Sequence, residues 1–262
     1  MSLDAEAVAR LSERVETAQT CARAIRKLTD DHPGMTVADA YRVQTALRRS
    51  YERRGQRVVG WKAGLTSRPK MIQMGVDKPG VGFLTEAMAR PEGSAITVSD
   101  LIHPRVECEL AFVTKAELSG KVSRAEVMAA TDYVQPALEI IDSRFTGFKF
   151  DLESVLADNS SSARFVLGGR PRRPEALDLR TIGVVMEIDG EIVALGASAE
   201  VLGHPAEAVA MLVGVLHDMG ETLPAGSLVL SGAITQAVPV KVGNCVAARF
   251  FEMGSVGARF VA

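Results

Sequence analysis

Apolar positions near the start of the chain recur at helical spacing. Val8, Leu11, Val15, Ala18, Ala22, Ile25 and Leu28 follow one another at intervals that place them on one stripe of a helix. A second helix is better delimited: Thr36 and Asp39 form a capping-box pattern, and the periodic run continues to Gly55, a residue suited to end it. From Arg57 the pattern changes to short apolar runs broken by glycine, which predict strands at 58–62, at 105–114 and around Glu139. Further strands are predicted at 182–188 and 191–197, joined as a hairpin by Asp189-Gly190, and then at 227–231, 237–242, 245–251 and 256–261. Two helices interrupt them. One is opened by Ser123 with Glu126 three residues on, and the other runs from Pro205 through Met219 with Gly220 as its stop. Together these elements predict one α+β domain over 1–262, helical over 1–56 and built on a curled mixed sheet over 57–262.

Composition narrows the partners. With 262 residues, 47% of them hydrophobic, the chain can bury roughly three quarters of its unfolded surface and needs neither metal nor disulfide merely to fold. Its formal net charge of -2, with both signs mixed along the chain, provides no field for nucleic acid or anionic lipid and favours a small-molecule partner. Cys21, Cys108 and Cys245 are odd in number and set among apolar neighbours, so they are expected to be buried, reduced thiols of a cytoplasmic protein. No uninterrupted apolar run approaches the length of a membrane span, and the first twenty residues mix acids and arginines.

The chemistry is suggested by three acids inside apolar runs. In Arg105–Val113, Val106, Cys108, Leu110 and Phe112 share one face of a strand while Glu107 and Glu109 share the other, about 7 Å apart along it. Glu139 lies between Leu138 and Ile140. Ionised carboxylates in such surroundings cost several kcal/mol each unless a positive charge meets them, which a divalent cation would do. A solvent-facing strand edge is the plainer alternative for the first pair. Lys62 closes an apolar strand and precedes the small-residue turn Ala63–Ser67. Beside a bound cation its ammonium form would be disfavoured, allowing proton exchange near neutrality, although a solvated strand end is the commoner role. The polar run Asp158–Ser162 reads equally as a turn, a helix cap or a ligand-facing loop.

Six separated motifs carry a resemblance. Gly60-Trp61-Lys62-Ala63-Gly64-Leu65-Thr66-Ser67, Glu107-x-Glu109, Ala137-Leu138-Glu139, Ala157-Asp158-Asn159, Leu202-Gly203-His204-Pro205 and Gly254-Ser255-Val256 occur in the order found in the fumarylacetoacetate hydrolase superfamily. The chain is most similar to the branch containing 4-oxalocrotonate decarboxylases and 2-hydroxypenta-2,4-dienoate hydratases. Asp142-Ser143-Arg144-Phe145 followed by Phe148-Lys149-Phe150-Asp151-Leu152 resembles the decarboxylase pattern, as do Phe112–Lys115 and Ser231–Thr235. Gly80 stands where hydratases tend to carry an aspartate.

The resemblance implies that Glu107, Glu109 and Glu139 hold Mg²⁺ or Mn²⁺ and that Lys62 is the active-site lysine. It places Thr66, Ser67, Leu156, Asp158, Asn159, Ser161, Gly232 and Ile234 around the substrate, with Asp77 and His204 just outside the ligand set. His204, directly before Pro205, also suits a helix entrance. Trp61 and Phe83 are expected to keep water from a departing carboxylate. The implied substrate is a small 2-oxo or 2-enol dicarboxylic acid, decarboxylated in the first reading, with hydration of 2-hydroxypenta-2,4-dienoate as the runner-up. Homo-oligomerisation and a complex with the pathway hydratase are further implications. A non-catalytic partner that retains the fold and stabilises a neighbouring enzyme would carry a broken ligand or lysine position, and none is broken.

Overall fold

The computed structural model describes residues 2–67, 71–72 and 79–262, so Asp77 lies outside the described residues. Helix α1 (Ala5–Thr20) is capped by Asp4, whose carboxylate accepts from the Ala7 amide, and α2 (Val37–Arg53) by the reciprocal Thr36/Asp39 box. The first helix stops earlier than its periodicity predicts. Ala22 takes a left-handed φ of 47°, and Ile25 pairs instead with the chain at Phe145. Ile25 therefore meets the core from extended backbone and Leu28 from the short 3-10 turn Leu28–Asp30, a tether that presents apolar residues as well as a helical stripe does.

The strands follow in the order β1 (Val58–Gly64), β2 (Gly80–Thr85), β3 (Ala89–Arg90), β4 (Ala95–Thr97) and β5 (Arg105–Thr114). After α3 (Arg124–Ala130) come β6 (Thr131–Ile141), α4 (Leu152–Ala157) and β7 (Ser162–Leu167). The hairpin β8 (Gly183–Ile188) and β9 (Glu191–Ala197) precedes α5 (Pro205–Asp218), and the chain ends with β10 (Leu228–Leu230), β11 (Val238–Pro239), β12 (Cys245–Phe250) and β13 (Gly254–Val261). The hairpin forms where Asp189-Gly190 predicts it, with both residues at positive φ (55° and 86°). The predicted strand at 237–242 shrinks to two residues.

Two sheets result among the described residues. The larger is mixed, in the order β2-β1-β10-β5-β6-β7-β3, with β11 also pairing to β5; β1 runs parallel to β10 and β7 parallel to β3. The smaller is ordered β4-β13-β12-β8-β9. One hydrophobic cluster links both sheets and the helices, from Val8 on α1 through Phe112 and Leu212 to Phe260. Gln44 of α2 fastens the helical region to it, donating to the carbonyls of Val81 (2.9 Å) and Leu156 (2.7 Å). Helix α5 turns Val209, Leu212, Val213 and Leu216 into this core. At 14 residues it extends about 21 Å, shorter than the hydrocarbon layer of a bilayer.

The thiols depart from expectation. Cys108 is buried, whereas Cys21 at the end of α1 and Cys245 at the start of β12 are exposed. Apolar sequence neighbours do not bury a residue that stands at the end of an element, where the backbone leaves the core.

Candidate active site

The site is assembled on the β5–β6 pair. Glu107 stands directly opposite Glu139, and Glu109 opposite Ala137, so Glu107, Glu109 and Glu139 form a triangle on one face of the sheet. All three are buried, and one carboxylate oxygen from each can be chosen so that the three lie within 4.8 Å of one another. Lys62 reaches the same face from β1, because β1, β10 and β5 align Lys62, Leu230 and Ala111 in one row. Its Nζ is 3.2 Å from Glu139 Oε2 and donates to the carbonyl of Ser160 at 3.0 Å.

The carboxylates are under-satisfied. Glu109 Oε2 accepts from the Gly232 amide at 2.7 Å and Glu139 Oε2 faces the Lys62 ammonium, but Glu109 Oε1 and Glu139 Oε1 have no hydrogen-bond donor among the described residues. Three carboxylates crowd around the Lys62 ammonium with little exposure to solvent. Such crowding favours the uptake of protons or of a divalent cation. Burial, reinforced by Glu139, pushes Glu109 well above the ordinary carboxylate range, and burial likewise raises Glu139 against the pull of Lys62. Burial also works against the Lys62 ammonium, yet Glu139, Glu109 and Glu107 outweigh it and hold Lys62 above its ordinary value. The lowered lysine expected beside a cation is therefore not a property of the carboxylate cluster alone. A hard cation with oxygen ligands fits the donor set: it would supply the missing partners and offset the clustered negative charge.

The triangle borders a cavity of about 310 Å³ lined by Lys62, Ser67, Arg105, Glu107, Ile141, Phe148, Phe150, Ser161, Leu195 and Ile234. The loop beside Lys62 is conformationally unusual. Asn159, Ser160 and Ser161 all adopt left-handed φ, at 51°, 52° and 58°, a costly run for residues with side chains and one that aims the Ser160 carbonyl at Lys62. Asn159 holds it there, accepting from the Phe83 amide (2.7 Å) and donating to the Phe83 carbonyl (2.9 Å), as a neighbouring strand would. Gly64 allows the close approach, since a Cβ there would meet Ser160 Oγ.

The other expected residues fall into different places. Ser67, Ser161 and Ile234 line the cavity. Thr66 is buried against Gly232, whose φ of 107° and lack of a side chain let its amide reach Glu109. Asp158 does not face the cavity. It is fully buried and bound by the backbone amide and Nε of Arg144, whose guanidinium also donates to the carbonyls of Asp142, Asp158 and Ser162. Burial nevertheless pushes Asp158 up to about 7 against the pull of Arg144. Asn159 is spent on Phe83, and Leu156 packs beside Gly80, leaving both outside the cavity. His204 caps α5, its Nδ1 accepting from the Ala206 amide at 3.1 Å, and it too is outside the cavity.

Trp61 and Phe83 are also misplaced by the sequence reading. Alternation turns Trp61 away from Lys62, under the Arg48 guanidinium, and Phe83 packs edge-on to Tyr51. Phe148 and Phe150 are the aromatic residues on the cavity wall. Phe148-Lys149-Phe150 belongs to the decarboxylase-like pattern, which does not say that its rings reach the cavity, and Arg105 is missed although the parity it shares with Glu107 is visible.

A mixed curled sheet with N-terminal helices, carrying three converging glutamates and a buried lysine, defines a fumarylacetoacetate hydrolase fold. The fumarylacetoacetate (FAA) hydrolase C-terminal family matches residues 61–261, and the chain belongs to that family. The chain is 51% identical to a 4-oxalocrotonate decarboxylase of Pseudomonas sp. (strain CF600) over 261 residues, 99% of each chain. It is 39% identical to a 2-hydroxyhexa-2,4-dienoate hydratase of Comamonas testosteroni over 251 residues, 95% of each. The solved 4-oxalocrotonate decarboxylase from Pseudomonas putida G7, complexed with magnesium and adipate, superimposes with a TM-score of 0.97 at 51% identity, covering 99% of both chains.

Proposed function

We propose that the protein is a metal-dependent carboxy-lyase that converts 2-oxohex-3-enedioate to 2-hydroxypenta-2,4-dienoate and CO2. The carrying observation is the buried Glu107–Glu109–Glu139 triangle with Lys62 beside it, opening on a small, partly aromatic cavity. Full-length likeness to a 4-oxalocrotonate decarboxylase supports the same substrate class.

Glu107, Glu109 and Glu139 would hold Mg²⁺ or Mn²⁺, which supplies Lewis-acid stabilisation of negative charge at the substrate's 2-oxo group. In the reaction the C5–C6 bond breaks and its electron pair passes through the C3–C4 double bond to the C2 oxygen. CO2 departs, and the oxygen takes a proton to become the product's hydroxyl. Lys62 Nζ is the donor for that proton: it lies beside Glu139, and the Ser160 carbonyl fixes its position. Phe148, Phe150 and Ile141 keep water from the breaking bond. Gly80 supplies no acid for the competing hydration, and a side chain built there would run into Leu156.

The test is incubation with Mg²⁺ and 2-oxohex-3-enedioate, measuring CO2. Lys62→Met should abolish CO2 release while Mg²⁺ still binds. Absence of CO2 from the wild type, with 2-hydroxypenta-2,4-dienoate instead converted to 4-hydroxy-2-oxopentanoate, would replace the reading by a hydratase. Self-association and a complex with the hydratase belong to the same proposal, and light scattering with and without that enzyme tests them.

A further inference from the structure

We propose that Arg105 binds the far carboxylate of the substrate and makes the cavity selective for dicarboxylic acids. This inference rests on the decarboxylase reading for the identity of the diacid but not for its geometry. Arg105 lies two residues before Glu107 on β5 and opposite Ile141 on β6, so strand parity puts it on the face that carries the three glutamates. Lys62 and Arg105 are the cations among the described residues lining the cavity. They are not equivalent. Lys62 is committed to Glu139 and the Ser160 carbonyl, whereas Arg105 forms no ion pair with a carboxylate among the described residues.

The Arg105 guanidinium lies 4.3 Å from the centre of the Phe148 ring. A guanidinium held over a ring keeps N–H groups for a ligand, and these can bind a carboxylate in two-point fashion. The spacing fits a six-carbon chain. Two residues of strand advance about 7 Å from Glu107 to Arg105. Five carbon–carbon bonds of about 1.5 Å in a zigzag separate the two carboxyl carbons by about 6 Å. One end of an extended diacid at the glutamate triangle thus leaves the other at Arg105.

The chemistry also predicts which kinetic constant depends on the residue. The far carboxylate is charged in the bound substrate and becomes neutral CO2, so its pair with Arg105 weakens along the reaction. Arg105 contributes binding and specificity, and its loss falls on KM rather than on kcat.

Calorimetry on the Mg²⁺-loaded protein with a matched pair of ligands tests this: 2-oxoadipate, and 2-oxohexanoate, which has the same chain without the far carboxylate. The wild type should prefer 2-oxoadipate by about tenfold or more, the worth of a charge-assisted hydrogen bond. Arg105→Gln should bring the two affinities together by weakening 2-oxoadipate alone, and Arg105→Lys should keep part of the preference. Equal weakening of both ligands, or an unchanged preference in both variants, overturns the proposal. If the wild type releases CO2 while the preference ignores Arg105, this inference fails and the decarboxylase reading stands. If it releases none but the preference vanishes with Arg105, the diacid site stands and that reading fails.

Discussion

Replacing Glu139 by glutamine separates two views of the Lys62–Glu139 contact. If the contact is a stabilising buried salt bridge, removing one partner should cost about 3–5 kcal/mol. The structure argues for the opposite sign in metal-free protein. Glu139 meets the Lys62 ammonium together with Glu107 and Glu109; its Oε1 has no hydrogen-bond donor among the described residues, and Lys62 retains Glu109, Glu107 and the Ser160 carbonyl. Near pH 8 in EDTA the wild type must bury surplus charge or hold protons against their tendency to leave, at about 1.4 kcal/mol per pH unit. Relief of that load should stabilise the variant by about 1–3 kcal/mol, or roughly 2–10 °C in a thermal melt. Magnesium inverts the order of merit. At a hundred times its Kd, Mg²⁺ stabilises the wild type by about 2.7 kcal/mol, while a site weakened a hundredfold gains about 0.4 kcal/mol. Melting curves of both proteins in EDTA and in Mg²⁺ therefore show a variant that melts no lower than wild type without metal but has lost most of its response to it. A variant that melts roughly 6 °C or more below wild type in EDTA, with its Mg²⁺ response intact, refutes the charge argument.

Three further outcomes follow from other parts of the site. Because burial raises Glu109 and Glu139, the metal-free cluster holds protons above the ordinary carboxylate range, and Mg²⁺ must displace them; its affinity should rise with pH above that range, with proton release seen by calorimetry in two buffers, and a pH-independent affinity contradicts this. In EDTA the sign reverses, since the stability these raised groups contribute is complete below their unfolded value and is lost as pH climbs through the folded one. Asn159→Ala strands the Phe83 amide and carbonyl, at about 1–3 kcal/mol each, so the melting temperature should drop and turnover should fall with the misplaced Ser160 carbonyl; unchanged melting counts against the clamp. His204→Asn should keep both stability and CO2 release, whereas His204→Ala should lose about 0.5–2 kcal/mol as a lost cap does; a dead but stable His204→Asn would make His204 an acid or base after all.

Much of this protein was legible without coordinates. The Thr36/Asp39 and Ser123/Glu126 caps, the Asp189-Gly190 hairpin and the common face of Glu107 and Glu109 depend on residues a few positions apart, and local backbone geometry alone fixes them. Acids inside apolar runs pointed either to a charged ligand or to a solvent-facing edge, and burial, which the fold decides, chose between them. Tertiary structure decided what stands opposite what. The register that sets Glu139 against Glu107, the alignment that brings Lys62 across β10, and the enclosure of Asp158 by Arg144 join segments separated by many residues. Parity gives each strand residue a face but says nothing of its partner across the sheet. For that reason the polar run at 158–161 could be recognised but not apportioned, and its serines reached the cavity while Asp158 and Asn159 became the frame that holds them.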